Sequence, residues 1–256
     1  MENMHGRSIL VTGAASGIGQ ATAELLAASG VAVTVADRSA EAGETVVEGI
    51  RSAGGKATFV RVDVTDPREV DNMVAHAQQS FGRLHGAVNA AGFGASGKPF
   101  LDLTLDDIDR SLAVNYRGVF LCMKSQIAAM LPHGGGSIVV IASTAATHGF
   151  QLAAEYCGSK AGVMGLVRGA AADYATSGLR VNGVLPGPTM TPMLQAVMEA
   201  NEESRAICEG GQAMRRIAEP VEIAGAVRWL LSDDSSYTTG FALAVDGGGS
   251  YLRTAI

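Results

Sequence analysis

The sequence predicts an α/β protein in which a doubly wound parallel sheet of seven strands is flanked by helices. Seven short apolar runs alternate with segments of helical periodicity along the 256 residues. Most of these runs are continuously apolar, which is typical of parallel strands that are buried on both faces. No repeat, low-complexity tract or linker interrupts the pattern, so we predict a single domain over residues 1–256.

The predicted strands and helices alternate in chain order, as right-handed crossovers in a parallel sheet require. The predicted strands cover residues 8–12, 32–37, 58–63, 86–90, 137–142, 180–185 and 241–245. The predicted helices cover residues 17–29, 40–53, 67–81, 105–131, 152–177 and 221–231. Thr104, with Asp107 three residues later, is expected to cap the fourth helix, and Pro220 suits the first turn of the sixth.

Composition excludes several classes of protein. Hydrophobic residues make up 47% of the chain, yet no apolar stretch is long enough to span a membrane, and the N-terminus shows no secretory signal pattern. A net charge of -6 without a block of Lys or Arg argues against a nucleic-acid partner. The three cysteines, Cys122, Cys157 and Cys208, contain no CxxC pair, so we expect neither a metal site nor a disulfide. This cysteine content predicts a protein of the reducing cytoplasm.

Residues 188–216 break the alternation of strands and helices. The segment begins with Pro-Thr-Met-Thr-Pro, continues through an apolar piece at 193–198 and becomes polar at 199–211. A long insertion after a strand end in an α/β fold often closes over an active site, so we predict a substrate lid. A solvated loop is the alternative interpretation.

A glycine-rich turn follows the first predicted strand and leads directly into the first predicted helix. Glycines in such a turn let the backbone approach a pyrophosphate, and the helix N-terminus supplies free N–H groups with partial positive charge. A glycine cluster alone indicates only a tight turn, and its position after the first strand favours a dinucleotide site. The predicted cofactor contacts are Gly13, Ser16, Gly17, Ile18 and Gly19.

An acidic residue, Asp37, ends the second predicted strand. It lies about 20 residues after the turn, where a carboxylate accepts hydrogen bonds from an adenosine ribose. A 2′-phosphate would meet like charge there, so we predict NAD over NADP, although Arg38 is able to pair with such a phosphate. Asp63 and Val64, which end the third predicted strand, are candidates for recognising adenine, and Asp63 is equally typical of a turn.

Four polar side chains suggest proton-transfer chemistry. Tyr156 and Lys160 are spaced i, i+4 and share one helix face. A free tyrosine has a pKa of about 10, so we expect the Lys160 ammonium to lower the pKa of Tyr156 and make it the catalytic acid/base. Ser143 is predicted to bind the substrate oxygen, and Asn115 to hold a water that links Lys160 to solvent. Each residue alone has an ordinary structural explanation, but the four together favour catalysis.

In order and spacing, these features resemble the short-chain dehydrogenase/reductase family over nearly the whole chain. The matching features are TGAASGIG at 12–19, Asp37, Asp63-Val64, NAAG at 89–92, Asn115, Ser143, YCGSK at 156–160, PGPTMT at 186–191 and VDGG at 245–248. The resemblance implies a Rossmann-like sheet and a tetrad of Asn115, Ser143, Tyr156 and Lys160, with Tyr156 and Lys160 also at the cofactor. It implies further cofactor contacts at Asn89, Ala90, Ala91, Gly92, Pro186, Gly187, Thr189 and Thr191.

The same resemblance implies a homotetramer in which the fourth and fifth helices pair between subunits. The sequence adds its own support, because the predicted helix 152–177 carries small residues around much of its circumference, which suits close packing on more than one side. These residues are Ala161, Gly162, Gly165, Gly169, Ala170, Ala171 and Ala172. The alternative is a helix wedged inside its own subunit.

The residues that follow the candidate catalytic positions are mainly apolar, with adaptable methionines. No Arg or Lys stands where it would clamp a carboxylate or phosphate, so we predict a neutral, hydrophobic, cyclic secondary alcohol or its ketone as substrate. Stretches at 120–124, 155–166 and 191–194 resemble bacterial NAD-dependent dehydrogenases of cyclic alcohols, of terpene and cyclohexadiene-diol types. The predicted substrate contacts are Phe93, Ser143, His148, Leu152, Tyr156, Met190, Met193 and Leu194.

Two other functions stay open. A 3-oxoacyl-carrier-protein reductase would share the tetrad, prefer NADPH and place basic residues near the cleft. Asp37 argues against that function, while Arg110 and Arg117 favour it. A non-enzymatic NAD-binding sensor or scaffold on the same fold would not need Tyr156 or Lys160, and both are present.

Overall fold

The computed structural model of the protein describes residues 4–200, 208, 210–250 and 252. Over this part of the chain, seven strands form one parallel sheet in the order β3-β2-β1-β4-β5-β6-β7. The strands are β1 Ser8–Thr12, β2 Ala32–Asp37, β3 Lys56–Arg61, β4 Gly86–Asn89, β5 Gly136–Ile141, β6 Leu179–Pro186 and β7 Ala242–Val245. The predicted seven-stranded parallel sheet is therefore confirmed, with small shifts at the strand ends.

Helices cover both faces of the sheet. They are α1 Gly17–Ala28, α2 Ala40–Ser52, α3 Pro67–Phe81, α4 Leu105–Leu112, α5 Val119–Met130, α6 Ala154–Tyr174, α7 Pro192–Ala200 and α8 Pro220–Leu231. α1, α2 and α8 pack on one face, and α3, α5 and α6 pack on the other.

The strands contribute side chains to two separate apolar layers. In β1, Leu10 faces the layer beneath α3, α5 and α6, while Ile9 and Val11 face the opposite layer. Because both faces are buried, these strands need apolar residues at nearly every position. Burial of both faces of the sheet therefore explains the continuously apolar runs in the sequence.

The strand order reverses at β1, which pairs with β2 on one side and β4 on the other. Thr12 and Asn89, the last residues of β1 and β4, are partners in the register. The chain segments that leave these two carboxyl ends diverge and open a crevice, the place where doubly wound sheets bind ligands. The glycine-rich turn and the segment after β4 both start at this crevice.

The prediction of one continuous α-helix over residues 105–131 is wrong. α4 ends at Leu112, and a π-helical turn at Ala113–Gly118 precedes α5. The turn carries Asn115, whose buried side chain bonds the backbone of Phe93. A wide turn of this kind is frequent at functional sites. The predicted start of α4 is confirmed, because Thr104 and Asp107 form a reciprocal capping box.

α6 begins at Ala154, two residues later than predicted. Leu152 has a φ of +60°, in the left-handed region, which a right-handed helix cannot include. The regular helix ends at Tyr174, and a 3-10 turn at Ala175–Ser177 follows it.

The predicted lid, residues 188–216, lies only partly within the described residues. Pro192–Ala200 forms α7, whereas residues 201–207 and 209 lie outside the described part of the chain. None of the described helices is long and apolar enough to cross a membrane. The described residues also contain no group of three or more His, Cys, Asp or Glu side chains arranged to hold a metal ion.

Candidate active site

The glycine-rich turn between β1 and α1 is packed too tightly for side chains. Gly13 has a φ of +65°, and a Cβ atom there would lie 2.6 Å from Ala91 N. At Gly19 a Cβ atom would collide with Gly13 O, so the turn closes on itself. Ser16, the N-cap of α1, makes no side-chain cap hydrogen bond. The first N–H groups of α1 are therefore left for a ligand, an arrangement that suits phosphate.

The segment after β6 forms a second wall of this cradle. A Cβ atom at Gly17 would lie 3.0 Å from the side chain of Thr191, so the start of α7 lies against the glycine-rich turn. Thr189 is buried and donates its hydroxyl to Gly187 O at 2.9 Å, which shapes the chain after Pro186. The structure thus brings the turn and the segment at 186–191 together. Ile18, in the turn, packs partly against the apolar core.

Asp37, at the end of β2, is held by two backbone N–H groups. Its Oδ2 accepts from Ala15 N at 3.1 Å, and its Oδ1 accepts from Ser39 N at 3.0 Å. The carboxylate is therefore fixed beside the glycine-rich turn, with further lone pairs that can accept from the two hydroxyls of a ribose. A phosphate cradle and a ribose acceptor lie together, so these residues fit a nicotinamide dinucleotide.

The Asp63 side chain stabilises a turn, which is one of the two interpretations that its position in the sequence allowed. Its Oδ1 accepts from Thr65 N at 2.9 Å and from Thr65 Oγ1 at 2.7 Å. The backbone bond from Thr65 is the largest cause that lowers the pKa of Asp63, and the Arg38 charge lowers it further. Val64 is buried against the π-helical turn at Gly118. Contact of Asp63 and Val64 with adenine stays a prediction.

The segment after β4 brings two tetrad residues together. Asn89 and Gln126 exchange two amide hydrogen bonds of 2.9 Å, so the Asn89 side chain ties β4 to α5. Ala90 and Ala91 then pack against the two apolar layers. A Cβ atom at Gly92 would lie 3.5 Å from both Asn115 Oδ1 and Lys160 Nζ. These two polar atoms therefore lie close to Gly92 at the end of the crevice.

Asn115 is fully buried and joins three parts of the site. Its Oδ1 accepts from Phe93 N at 2.7 Å, and its Nδ2 donates to Phe93 O at 2.9 Å and to Ser159 Oγ at 3.2 Å. Both polar atoms of the amide thus already have protein partners. These contacts fix the orientation of the amide, and the expectation that this side chain holds a water stays a prediction.

Lys160 is buried, and its Nζ donates to Ile141 O at 3.1 Å. The same Nζ lies 5.7 Å from the centre of the Tyr156 ring. Burial lowers the pKa of Lys160 to about 8, because a poorly solvated environment disfavours the ammonium. At neutral pH the side chain therefore keeps its proton, but only by a small margin.

The side chains of Tyr156 and Ser143 lie close enough for Ser143 to act on the pKa of the tyrosine. Ser143 follows the end of β5, and its Oγ also accepts from Ala145 N at 3.1 Å, which fixes the hydroxyl. Burial raises the pKa of Tyr156, and the Ser143 side chain opposes this only in part. The expected net lowering of the pKa of Tyr156 is therefore wrong for this arrangement, because the effect of burial outweighs the interactions that lower the pKa.

Some predicted substrate residues meet above this site. A Cβ atom at Gly94 would lie 3.5 Å from Met193 Sδ, so α7 covers the segment after β4. Phe93 is half-buried there, with the Arg110 guanidinium 5.0 Å from the centre of its ring. Leu194 is half-buried at the start of α7, where its N–H donates to Thr191 Oγ1 at 3.3 Å.

Other predicted substrate residues lie on separate loops. His148 is exposed after β5, and its Nδ1 lies 2.9 Å from Thr147 Oγ1 in a hydrogen bond. Leu152 is also exposed on that loop. Met190 is half-buried, and its N–H donates to Ala218 O at 2.8 Å. A substrate contact of His148, Leu152 or Met190 stays a prediction.

The sequence interpretation missed a buried acidic residue next to Tyr156. Glu155 is 5% exposed, and its Oε1 accepts from Ser96 N at 2.6 Å. A glutamate in the first turn of a helix is usually explained by the helix dipole and faces solvent, so nothing in its position marked it as buried. The available signal was its i, i+4 spacing to Ser159, since the two share one helix face.

The chain is similar over nearly its whole length to proteins with assigned names. A family model described as enoyl-(acyl carrier protein) reductase matches residues 13–250. A 2,5-dichloro-2,5-cyclohexadiene-1,4-diol dehydrogenase of Sphingobium indicum is 45% identical over 249 residues, which cover 97% of this chain and 98% of the relative. A cyclohexanol dehydrogenase of an Acinetobacter species is 39% identical over 238 residues, covering 93% and 92%. The crystal structure of a short-chain type dehydrogenase/reductase from Mycobacterium marinum matches with a TM-score of 0.91 at 34% identity, covering 98% of each chain.

Proposed function

The chain belongs to the short-chain dehydrogenase/reductase family of oxidoreductases, and from this we propose that it transfers a hydride between NAD(H) and a hydrophobic, cyclic secondary alcohol or its ketone. The observation that carries the proposal is the placement of the Ser143, Tyr156 and Lys160 side chains next to one another, in a crevice that also holds the dinucleotide cradle. The cyclohexadiene-diol and cyclohexanol in the names of two relatives support a ring alcohol as substrate.

Tyr156 holds the proton that moves. In ketone reduction its hydroxyl donates this proton to the carbonyl oxygen, and the Ser143 hydroxyl donates a second hydrogen bond to the same oxygen as negative charge develops there. In alcohol oxidation the phenolate of Tyr156 accepts the hydroxyl proton. The Lys160 ammonium, 5.7 Å from the ring, favours that phenolate electrostatically. A bound nicotinamide cofactor supplies the hydride acceptor or donor.

NAD is the cofactor that we propose, and Asp37 is the residue that supports it. Its carboxylate lies beside the glycine-rich turn, where the 2′-phosphate of NADP would meet like charge.

A substrate panel tests the proposal. Ring alcohols and ketones, linear alcohols and acyl thioesters are each assayed with NAD(H) and NADP(H) at equal concentrations. We expect the highest kcat/KM for the ring substrates and faster turnover with NAD(H). A preference for acyl thioesters with NADPH would replace the proposal with a carrier-protein reductase. NADH binding without any turnover would instead support the non-enzymatic sensor or scaffold.

We further propose that the chain works as a single domain whose residues 188–216 close over the substrate. The contact between Met193 and Gly94 supports this, because it places α7 above the segment after β4. Met193 and Val197 are about half exposed on α7, as expected for side chains that contact a ligand.

Replacing Met193 with serine tests the lid. The variant is expected to raise KM about tenfold for bulky ring alcohols, because it removes apolar contacts of about 0.8 kcal/mol per buried methylene. Small linear alcohols should be affected much less, and Met193→Leu should behave like wild type. Steady-state kinetics with substrates of graded size provide the measurement, and an equal loss for all sizes would count against the lid.

We also propose a homotetramer. Leu105, Leu112, Tyr116 and Phe120 are exposed along the α4–α5 segment, at spacings that place them on one side of it. On α6, Gly158, Gly165 and Gly169 have open space around them, which permits a second subunit to approach closely. Sedimentation equilibrium measures the assembly, and a monomeric protein at micromolar concentration would contradict it.

A further inference from the structure

A second cavity lies next to the catalytic residues, between the segment after β4, α4 and the start of α6. Its volume is about 260 Å³, which exceeds several times the roughly 30 Å³ that one water occupies in the liquid. We name it the Glu155 pocket, and it is lined by Phe93, Ser96, Lys98, Asp107, Arg110 and Glu155.

Two buried polar atoms of this pocket lack a hydrogen-bond partner within the described part of the chain. Glu155 Oε1 accepts from Ser96 N at 2.6 Å, which holds the carboxylate in one orientation. Among the described residues, neither Glu155 Oε2 nor Ser96 Oγ has a hydrogen-bond partner. A buried carboxylate oxygen without a partner is costly, so such an atom indicates a missing hydrogen-bond donor.

The charges around the pocket favour a neutral group as that donor. Lys98 Nζ bonds both carboxylate oxygens of Asp107, at 2.9 and 2.7 Å, so these two charges compensate each other. A ligand anion would face the Glu155 carboxylate at close range. A ligand cation would face Arg110, whose guanidinium already lies over the Phe93 ring. A hydroxyl group avoids both conflicts, because it can donate to Glu155 Oε2 and also bond Ser96 Oγ.

The pocket is joined to the site of hydride transfer by shared residues. Glu155 directly precedes Tyr156 on α6, so their Cα atoms are about 3.8 Å apart. Phe93 lines the pocket with its side chain, while its backbone is held at both N and O by Asn115. The pocket and the site of hydride transfer therefore share the Phe93 segment and the first turn of α6.

We propose that the Glu155 pocket binds a second hydroxyl of the substrate, one remote from the carbon that is oxidised, through Glu155 Oε2 and Ser96 Oγ. This inference rests on the proposed oxidation of a ring alcohol at Tyr156, and it narrows the substrate class to ring diols. The second hydroxyl contributes to binding and orientation and takes no part in the reaction.

The test compares cyclohexanol with the cyclohexane-1,2-, 1,3- and 1,4-diols. We expect wild type to show a higher kcat/KM for at least one diol than for cyclohexanol. Ser96→Ala and Glu155→Gln should each reduce the ratio of the two kcat/KM values about tenfold, mainly through KM, as expected when a hydrogen bond to a buried charged group is lost. Ser52→Ala and Glu48→Gln, exposed on α2, are the matched controls and should leave the ratio as it is.

The outcomes separate this inference from the proposed function. Turnover of cyclohexanol and the diols with a ratio that neither variant changes would overturn the second-hydroxyl site and leave the proposed function standing. No turnover of any ring alcohol with either cofactor would overturn both. A higher kcat/KM for 4-aminocyclohexanol than for the diols would overturn the assignment of a neutral hydroxyl. If Glu155→Gln fails to fold, Ser96→Ala decides, since its hydroxyl has no partner among the described residues.

Discussion

Replacing Tyr156 with phenylalanine is expected to lower kcat for ring-alcohol oxidation by about 10² to 10⁴-fold, the range typical of removing a general acid or base. The change deletes the hydroxyl that moves the proton and keeps the ring, so the packing around it should persist. Ser143 keeps the hydrogen bond from Ala145 N, so the loop after β5 should hold its shape. NADH binding, measured by fluorescence titration, should stay close to that of wild type.

The matched control for this variant is Tyr237→Phe. Tyr237 is fully exposed and lies outside the crevice, so its hydroxyl should be dispensable for turnover. Steady-state rates of the two variants and wild type, measured with one ring alcohol and NAD, give the comparison. If Tyr156→Phe keeps wild-type turnover, Tyr156 is not the acid/base.

The fold was predictable from the sequence because the pattern that indicates it, the apolar run of each buried strand, is local in the chain. A parallel strand buried on both faces must be apolar at nearly every position, as Ile9, Leu10 and Val11 illustrate, and this produces runs that differ visibly from helical periodicity. The π-helical turn at Ala113–Gly118 was not predictable from the sequence. It adds a residue to one turn without a Pro that would interrupt the helical pattern, and the Asn115 side chain in it bonds Phe93, which is distant in sequence.

The sequence predicted that certain candidate side chains lie near one another, but it did not predict their electrostatics. Spacing along one helix placed Tyr156 and Lys160 on one face, and the strand ends placed Ser143 and Asp37 at the crevice. Burial depends on the whole tertiary structure, so the sequence showed neither the raised pKa of Tyr156 nor the lowered pKa of Lys160. For the same reason the sequence did not indicate that Glu155, in the first turn of α6, is buried.

Replacing Lys160 with methionine is expected to slow alcohol oxidation about 100-fold, because the phenolate of Tyr156 loses the nearby ammonium that favours it. Methionine has a similar length and no charge, so it can fill the same space. The pH dependence of kcat/KM identifies the cause. In the variant the rise of oxidation with pH should move to higher pH, whereas a purely structural defect would lower the rate equally at every pH.

The same variant is expected to be at least as stable as wild type at pH 7. Burial places the pKa of Lys160 at about 8, below its ordinary 10.5, so the folded state binds fewer protons than the unfolded state between these values. The buried ammonium therefore costs folding about 3 kcal/mol below pH 8, and this cost disappears as the pH approaches 10.5. Loss of the bond to Ile141 O offsets part of the gain.

Urea denaturation between pH 7 and 10.5 measures this effect. The free energy of unfolding of Lys160→Met relative to wild type should be greatest at pH 7 and should decline as the pH rises from 8 to 10.5. Lys56→Met, at the exposed start of β3, is the control and should show no such trend, because its side chain is solvated in both states. A relative stability that grows with pH would contradict the lowered pKa. The expected opposite changes in stability and turnover follow from one cause, because the buried charge that weakens the folded state is the charge that favours the phenolate of Tyr156.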